Sequence, residues 1–164
     1  QKIIERGADK ICINSILESN IKIINDISKN FGSQAVVVSI DFRKVEDEYK
    51  IFFKGGKKKS NINIFDHVKK VEDLGAGELI LNSIDMDGTS NGFDFSILKK
   101  IPKNFQKPII YAGGAGNYKH LVEAFKKKEI DSISTANLLN FVGDGLKDAR
   151  KQIIKKNIKL AKWV

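Results

Sequence analysis

Short apolar runs alternate with longer amphipathic stretches along almost the whole chain. The runs are rich in Ile and Val and nearly continuous in apolar character, as in strands that are buried on both faces. The pattern predicts five strands, at Lys10–Asn14, Ala35–Asp41, Glu78–Ile84, Pro108–Ala112 and Asp131–Ala136. It predicts helices after them, at Asn20–Phe31, Ile64–Leu74, Ser96–Ile101, Tyr118–Lys128 and Gly145–Asn157. In the second of these, Val68, Val71 and Leu74 recur three residues apart with charges between them, which indicates one apolar helix face.

This alternation of strands and helices predicts a parallel sheet with right-handed crossovers. Two architectures fit, an open doubly wound sheet and part of a (β/α)8 barrel. A complete barrel needs about 250 residues, so 164 residues can hold only part of one. We therefore expect one α/β domain over residues 1–164, with about five βα units. The chain lacks an initiator Met and opens with Lys2–Arg6, the end of an earlier helix, so we interpret it as a piece of a longer barrel.

One irregular stretch follows the second predicted strand. Glu48–Phe53 alternates enough to be an extra strand, and the glycine- and lysine-rich segment Gly55–Asn61 comes directly after it. We interpret the stretch as a hairpin that ends in a mobile basic loop. A plain solvated turn explains the same residues.

Composition narrows the class of protein. Hydrophobic residues make up 41% and charged residues 30%, and the net charge is +9. The lysines are spread over the predicted helices, without an aromatic-interleaved basic patch, so we expect no nucleic-acid partner. No apolar run is long enough to span a bilayer, so we expect no membrane partner. The single cysteine, Cys12, allows no internal disulfide and predicts a cytoplasmic protein, and we interpret it as a packing residue.

The polar residues fall at the carboxyl ends of the predicted strands. Asn14 ends the first, Asp41 ends the second, and Asp85 and Asp87 follow the third. In parallel barrels this end carries the active site, and a carboxylate just beyond a buried strand needs a partner, a ligand or a catalytic task. His67 and His120 are far apart in sequence, so we expect no metal site. We also expect no cofactor.

A glycine-rich segment, Gly113–Gly116, lies directly between the fourth strand and a helix. Glycines let backbone N–H groups approach a phosphate, and the helix N-terminus adds favourable partial charge. The next strand ends in the small residues Thr135, Ala136 and Asn137, and loops after neighbouring strands form phosphate sites in barrels. A structural tight turn would require the same glycines.

Five segments together resemble the cyclase subunit of imidazole glycerol phosphate synthase. They are Gly7–Lys10, Phe31–Asp41, Gly75–Glu78, Ser83–Thr89 and Gly113–Gly116, and they occur in that family's order and spacing. The resemblance implies a (β/α)8 TIM barrel, of which this chain would cover units four to eight. It also implies a glutamine amidotransferase partner. Ammonia from that partner would react with a bisphosphorylated ribulosyl aminoimidazole carboxamide nucleotide, giving imidazole glycerol phosphate and an aminoimidazole carboxamide ribonucleotide.

The resemblance also assigns roles to single residues. It implies that Asp41 is a catalytic acid/base, whereas a second catalytic aspartate, on the family's first strand, has no counterpart here. It implies partner contact or ammonia entry at Asp9 and Lys10. The residues for which it implies substrate or phosphate binding are Asn14, Ser15, Asn82, Asp87, Gly88, Gly113, Gly114, Ala136 and Asn137.

Three departures from the family's pattern leave the substrate open. Met86 stands where Arg is frequent, and Asn82 and Ala112 stand where Thr and Ser are common. One alternative is the paralogue that amidates a sugar of surface polysaccharides with ammonia from an amidotransferase. Others are a non-catalytic remnant and the related sugar-phosphate isomerase of the histidine pathway.

Overall fold

A computed structural model describes residues 2–136, 138 and 145–161. Its strands are β1 Ile11–Ile13, β2 Val36–Val45, β3 Glu48–Phe53, β4 Lys58–Lys59, β5 Glu78–Ser83, β6 Ile109–Ala112 and β7 Ser132–Ser134. Its α-helices are α1 Lys2–Glu5, α2 Ile23–Phe31, α3 Ile64–Asp73, α4 Tyr118–Phe125 and α5 Gly145–Lys155. Three 3₁₀ helices lie at Ser15–Glu18, Ser33–Ala35 and Phe95–Lys100. No described helix has both the length and the apolar character needed to cross a membrane.

The described strands form one sheet in the order β4-β3-β2-β5-β6-β7, with β1 also paired to β2. The pairs β1–β2, β2–β5, β5–β6 and β6–β7 are parallel, and helical segments connect these strands. This arrangement confirms the predicted parallel α/β fold, and the chain forms part of a (β/α)8 barrel. The extra strand predicted at Glu48–Phe53 is also confirmed, as the antiparallel strand β3.

Strand β2 is longer than predicted, and Asp41 lies inside it rather than at its end. The first half of β2 pairs with β1 only as far as Val38, because β1 ends at Ile13. The same edge is therefore free from Asp41 to Val45, and β3 pairs with it there in antiparallel register. Asp41 is thus next to the end of the parallel part of the strand, which pairs with β5 as far as Phe42.

Two predicted helices differ from those observed. The segment predicted at Ser96–Ile101 is a 3₁₀ helix, since Pro102 forces Ile101 into an extended conformation and leaves too few residues for an α-helix. Helix α2 begins at Ile23 instead of Asn20, after a turn, and Lys22 precedes it without a side-chain cap. The other predicted helices are present, with α4 and α5 ending earlier than predicted.

The main core lies between the helices and one face of the sheet. Along β2, Val36, Val38, Ile40 and Phe42 are all at most 1% exposed, and they pack with residues of α2 and α3. The alternate positions of β2 point to the opposite, concave face. Cys12 is on that concave face of β1, because it pairs with Val37, and it is exposed.

Candidate functional site

The strand register brings four side chains into one row on the concave face. Asp41 pairs with Asn82, Asn82 with Ala112, and Ala112 with Ser134. Neighbouring strands are 4.7–4.9 Å apart, so this row is about 14 Å long. It lies at the carboxyl ends of the parallel strands, where parallel barrels carry their active sites.

Asp41 is fixed in this row by a direct hydrogen bond. Asn82 Nδ2 donates to Asp41 Oδ1 at 2.9 Å, and both side chains are partly buried. The other lone pairs of an ionised carboxylate remain available to accept further hydrogen bonds. Asp41 also affects Cys12. Surrounding protein atoms shield part of the thiol from water and raise its pKa, although the residue as a whole is exposed, and the negative charge of Asp41 raises the pKa further.

A cavity of about 250 Å³ lies beside Asp41, on the β5, β6 and β7 side of the row. It is lined by Ser39, Ile80, Asn82, Asp87, Ala112, Gly113, Gly114, Ala115, Ser134, Thr135 and Ala136. Asn82 belongs to this lining and also donates to Asp41. The Asp41 carboxylate and the loop Gly113–Gly116, called the glycine loop, therefore lie at the same edge of the sheet. This edge, formed by the carboxyl ends of the parallel strands and the loops that follow them, is called the rim. Of the residues predicted at the site, Asn137 lies outside the described residues.

Two glycines of the loop after β6 are required by its packing. Gly114 has φ of 113°, and a Cβ there would be 1.9 Å from the Gly92 carbonyl oxygen. Gly113 has φ of 90°, and its Cβ would be 2.4 Å from the Ser83 carbonyl oxygen. The Gly92 N–H donates to the Gly114 carbonyl oxygen at 2.8 Å. The glycines therefore let this loop pack tightly against the loop that follows β5.

The glycine loop leads into α4 in a way that leaves donors for a ligand. Asn117 caps the helix, its Oδ1 accepting from the N–H groups of Lys119 at 2.8 Å and His120 at 3.3 Å. The Gly116 N–H donates to His120 Nδ1 at 3.1 Å. Among the described residues, no hydrogen bond joins the N–H groups of Gly113 or Gly114 to a protein acceptor. Both glycines line the cavity, so these N–H groups are available to an anion there.

The loop after β5 turns sharply and carries Asp87 to the cavity. The Ser83 carbonyl oxygen accepts hydrogen bonds from the N–H groups of Met86 at 3.2 Å and Asp87 at 3.0 Å. Gly88 follows with φ of 76°. This turn separates the two carboxylates predicted after β5: Asp87 lines the cavity, and Asp85 pairs with Arg43 at 2.6 Å.

Asn14 and Ser15 lie at the carboxyl end of β1, beside Ser39. Asn14 Nδ2 donates to the Ser39 carbonyl oxygen at 3.0 Å, and Ser15 Oγ donates to Asn14 Oδ1 at 3.0 Å. Ser15 Oγ also accepts from the Lys54 N–H at 2.8 Å. The two side chains therefore join β1 to β2 and to the turn after β3, and they lie outside the cavity that contains the glycine loop.

Asp9 and Lys10 lie at the other end of the sheet. Lys10 Nζ forms an ion pair with Glu78, the first residue of β5. Glu78 pairs with Val37, four residues before Asp41 on β2, so the pair is about 13 Å from the row of Asp41. The structure thus separates these two predicted interface residues from the rim.

A tyrosine pair supports the rim from behind. Tyr49 donates a hydrogen bond to Asp94 Oδ2 at 2.5 Å, and Tyr111 donates to the Asp94 carbonyl oxygen. Burial, with the Asp94 carboxylate as a further cause, raises the pKa of Tyr49 to about 12. Burial also raises the pKa of Tyr111. Both phenols therefore stay protonated and tie Asp94, which ends the loop after β5, to β3 and β6.

Three residues of the rim were absent from the predicted site. Ser39 precedes Asp41 by two positions, Ser134 precedes Ala136 by two, and Arg43 follows Asp41 by two. Because side chains of a strand alternate between its faces, the period of two would have identified all three.

His67 and His120 lie in different parts of the structure. Helix α3 buries His67 to 2% exposure against the Phe53 ring, with ring centroids 6.4 Å apart, and this burial lowers the pKa of His67. His120 lies next to the glycine loop. Within the described ranges, no group of three His, Cys, Asp or Glu side chains is arranged to hold a metal ion.

The fold and this rim define a part of a parallel α/β barrel with its polar groups gathered at the carboxyl ends of the strands. The model of one protein family, described as histidine biosynthesis protein, matches residues 1–142. The chain belongs to this histidine biosynthesis family.

Curated relatives give named similarities. The chain is 36% identical over 159 residues to the imidazole glycerol phosphate synthase subunit HisF of Bacillus cereus (strain Q1), covering 96% of this chain and 63% of that protein. It is 40% identical over 155 residues to the same subunit of Flavobacterium johnsoniae, covering 94% and 61%. It is 39% identical over 162 residues to a putative imidazole glycerol phosphate synthase subunit hisF2 of Parasynechococcus marenigrum, covering 98% and 60%. The chain spans about three fifths of the length of these relatives.

Proposed function

We propose that this chain is part of the cyclase subunit of imidazole glycerol phosphate synthase. The protein would use ammonia from a glutamine amidotransferase subunit to convert the bisphosphorylated ribulosyl aminoimidazole carboxamide nucleotide. The products would be imidazole glycerol phosphate and the aminoimidazole carboxamide ribonucleotide of histidine biosynthesis. It would work in the cytoplasm, as one subunit of a heterodimer and without a cofactor.

The observation that carries this proposal is the common rim of Asp41 and the glycine loop. Asn82 donates to Asp41 at 2.9 Å and also lines the cavity that Gly113 and Gly114 border. In the proposed reaction Asp41 moves protons as general acid and base, from a position fixed by Asn82. The N–H groups of Gly113 and Gly114, at the start of the segment leading to α4, bind one phosphate of the substrate.

The second phosphate is assigned to the carboxyl end of β1, where Asn14 and Ser15 lie. Supporting this assignment, the turn after β3 brings Lys54 and Lys58 to the same place, where both pair with Glu18. Ammonia would enter at the opposite end of the strands, where Lys10 and Glu78 form their ion pair. That end is also the proposed contact with the amidotransferase subunit.

A second candidate is the amidation of a surface-polysaccharide sugar with ammonia from a similar partner. The feature that favours it is the composition of the row: Asn82 and Ala112 replace residue types that are common beside the histidine-pathway substrate. A small apolar Ala112 between Asn82 and Ser134 leaves fewer hydroxyl groups to contact a substrate.

Turnover by the full-length protein with ammonium salt as the nitrogen source tests the proposal. The bisphosphorylated nucleotide should be consumed and imidazole glycerol phosphate should form, because free ammonia replaces the partner's product. No consumption of the nucleotide, together with incorporation of ¹⁵N from ammonium into a nucleotide-linked sugar, would support the second candidate instead. Absence of both reactions in a folded protein would contradict both proposals.

A further inference from the structure

Arg43 lies on the same face of β2 as Asp41, two residues closer to the mouth of the barrel. Two residues of a strand span about 7 Å, so its backbone is one step beyond the catalytic candidate. The guanidinium group is 5.0 Å from the centroid of the Phe52 ring, and Phe52 is paired with Asp41 across β2 and β3. The Arg43 guanidinium therefore lies over Phe52, the neighbour of Asp41 on β3.

The other contact of Arg43 reaches across to the loop after β5. Its Nε is 2.6 Å from Asp85 Oδ1, an ion pair without the alignment of a hydrogen bond, and the two side chains are equally exposed, at 41%. Asp85 lies inside the turn in which the N–H groups of Met86 and Asp87 donate to the Ser83 carbonyl oxygen. The turn therefore joins Asp85 to Asp87, which lines the cavity.

The charges explain why this pairing matters for an anionic ligand. Asp85 is next to a rim that is proposed to bind two phosphate groups, and a free carboxylate there would repel them. Arg43 neutralises it, and the aromatic face of Phe52 favours the flat guanidinium over a lysine ammonium.

We propose that Arg43 is a positioning residue that fixes the Asp87 loop at the rim by stacking on Phe52 and pairing with Asp85. It acts through Asp87 and does not touch the reacting atoms. The inference rests on the proposed function only for the effect on substrate binding, since the contacts of Arg43 with Phe52 and Asp85 belong to the fold itself.

The test uses the full-length protein and two variants of Arg43. Arg43→Met removes the charge and keeps most of the side-chain length, whereas Arg43→Lys keeps the charge and loses the planar stacking group. Lys44→Met is the matched control, because Lys44 is the next residue on the strand and pairs with the exposed Asp47 at 3.0 Å, away from the rim.

Two readouts separate this inference from the proposed function. In steady-state turnover with ammonium salt, Arg43→Met should raise the KM for the phosphorylated substrate roughly three- to tenfold, the range expected for an exposed ion pair and a cation–π contact. The kcat should change less than the KM, Arg43→Lys should be intermediate, and Lys44→Met should match the parent.

The second readout needs no activity. The Asp87 amide should exchange its hydrogen at least about threefold faster in Arg43→Met, because the turn that protects it is released. A parent without turnover would contradict the proposed function and leave the exchange experiment to decide the inference. Exchange of Asp87 that is equal in the parent, Arg43→Met and Lys44→Met would overturn the inference, as would an unchanged KM in an active enzyme.

Discussion

Replacing Gly114 by alanine should damage the rim by a predictable amount. The glycine has φ of 113°, which alanine rarely adopts, and the new Cβ would be 1.9 Å from the Gly92 carbonyl oxygen and 3.1 Å from Met86 Cβ. Positive φ costs alanine about 1–2 kcal/mol. Relieving the overlap must separate the two loops, which loses the Gly92–Gly114 hydrogen bond, worth about 1 kcal/mol, and strains the packing by about 1–3 kcal/mol.

Gly7→Ala is the matched control, since Gly7 has φ of 96° and a Cβ there would meet no described atom within 4 Å. Urea denaturation of the full-length protein should show Gly114→Ala losing about 2–4 kcal/mol more than Gly7→Ala. Isothermal titration should show weaker binding of inorganic phosphate to Gly114→Ala only. Equal losses of stability in the two variants would refute the reasoning, because the contact with Gly92 would then contribute nothing.

Three further predictions follow from single side chains. Asn117→Ala and Asn63→Ala each remove an N-cap that accepts two helix N–H groups, so each should lose about 1 kcal/mol in urea denaturation, while only Asn117→Ala should weaken phosphate binding by calorimetry. Burial lowers the pKa of His67 in the folded state. Near and below about pH 6.5 the unfolded state therefore binds more protons than the folded state, and the free energy of unfolding should fall as the pH decreases through that region. His67→Leu should remove this dependence on pH. The same pH profile of stability in the variant and the parent would contradict the prediction. Because the pKa of Tyr49 is raised to about 12, stability should decline as the pH rises from about 10 towards 12, and Tyr49→Phe should remove part of the phenolate absorbance change at the highest pH.

The parallel strands could be predicted because burial on both faces leaves a mark in the sequence. Val36, Val37, Val38 and Ile40 give an apolar run that only Ser39 breaks before Asp41. The continuation of β2 to Val45 could not be predicted in the same way, since it depends on β1 ending at Ile13 and leaving an edge for β3. The length of one strand here is decided by its neighbour.

In the site, too, local patterns could be predicted from the sequence and contacts between distant segments could not. Asp41 and the glycine loop were found because carboxylates and glycines at the ends of apolar runs are visible locally. The tight packing of Gly114 on Gly92 and the reach of Arg43 to Asp85 are contacts between separate segments, which no local pattern contains.

Asp41 is proposed to transfer protons at a rim shared with the glycine loop. The kcat of Asp41→Asn in the full-length protein, with ammonium salt and the phosphorylated substrate, tests this role most directly, with Asp47→Asn in the exposed turn after β2 as control. Loss of a general acid/base group should lower the kcat of Asp41→Asn about 10²- to 10⁴-fold, while the KM stays close to that of the parent. A kcat equal to that of Asp47→Asn would contradict the account.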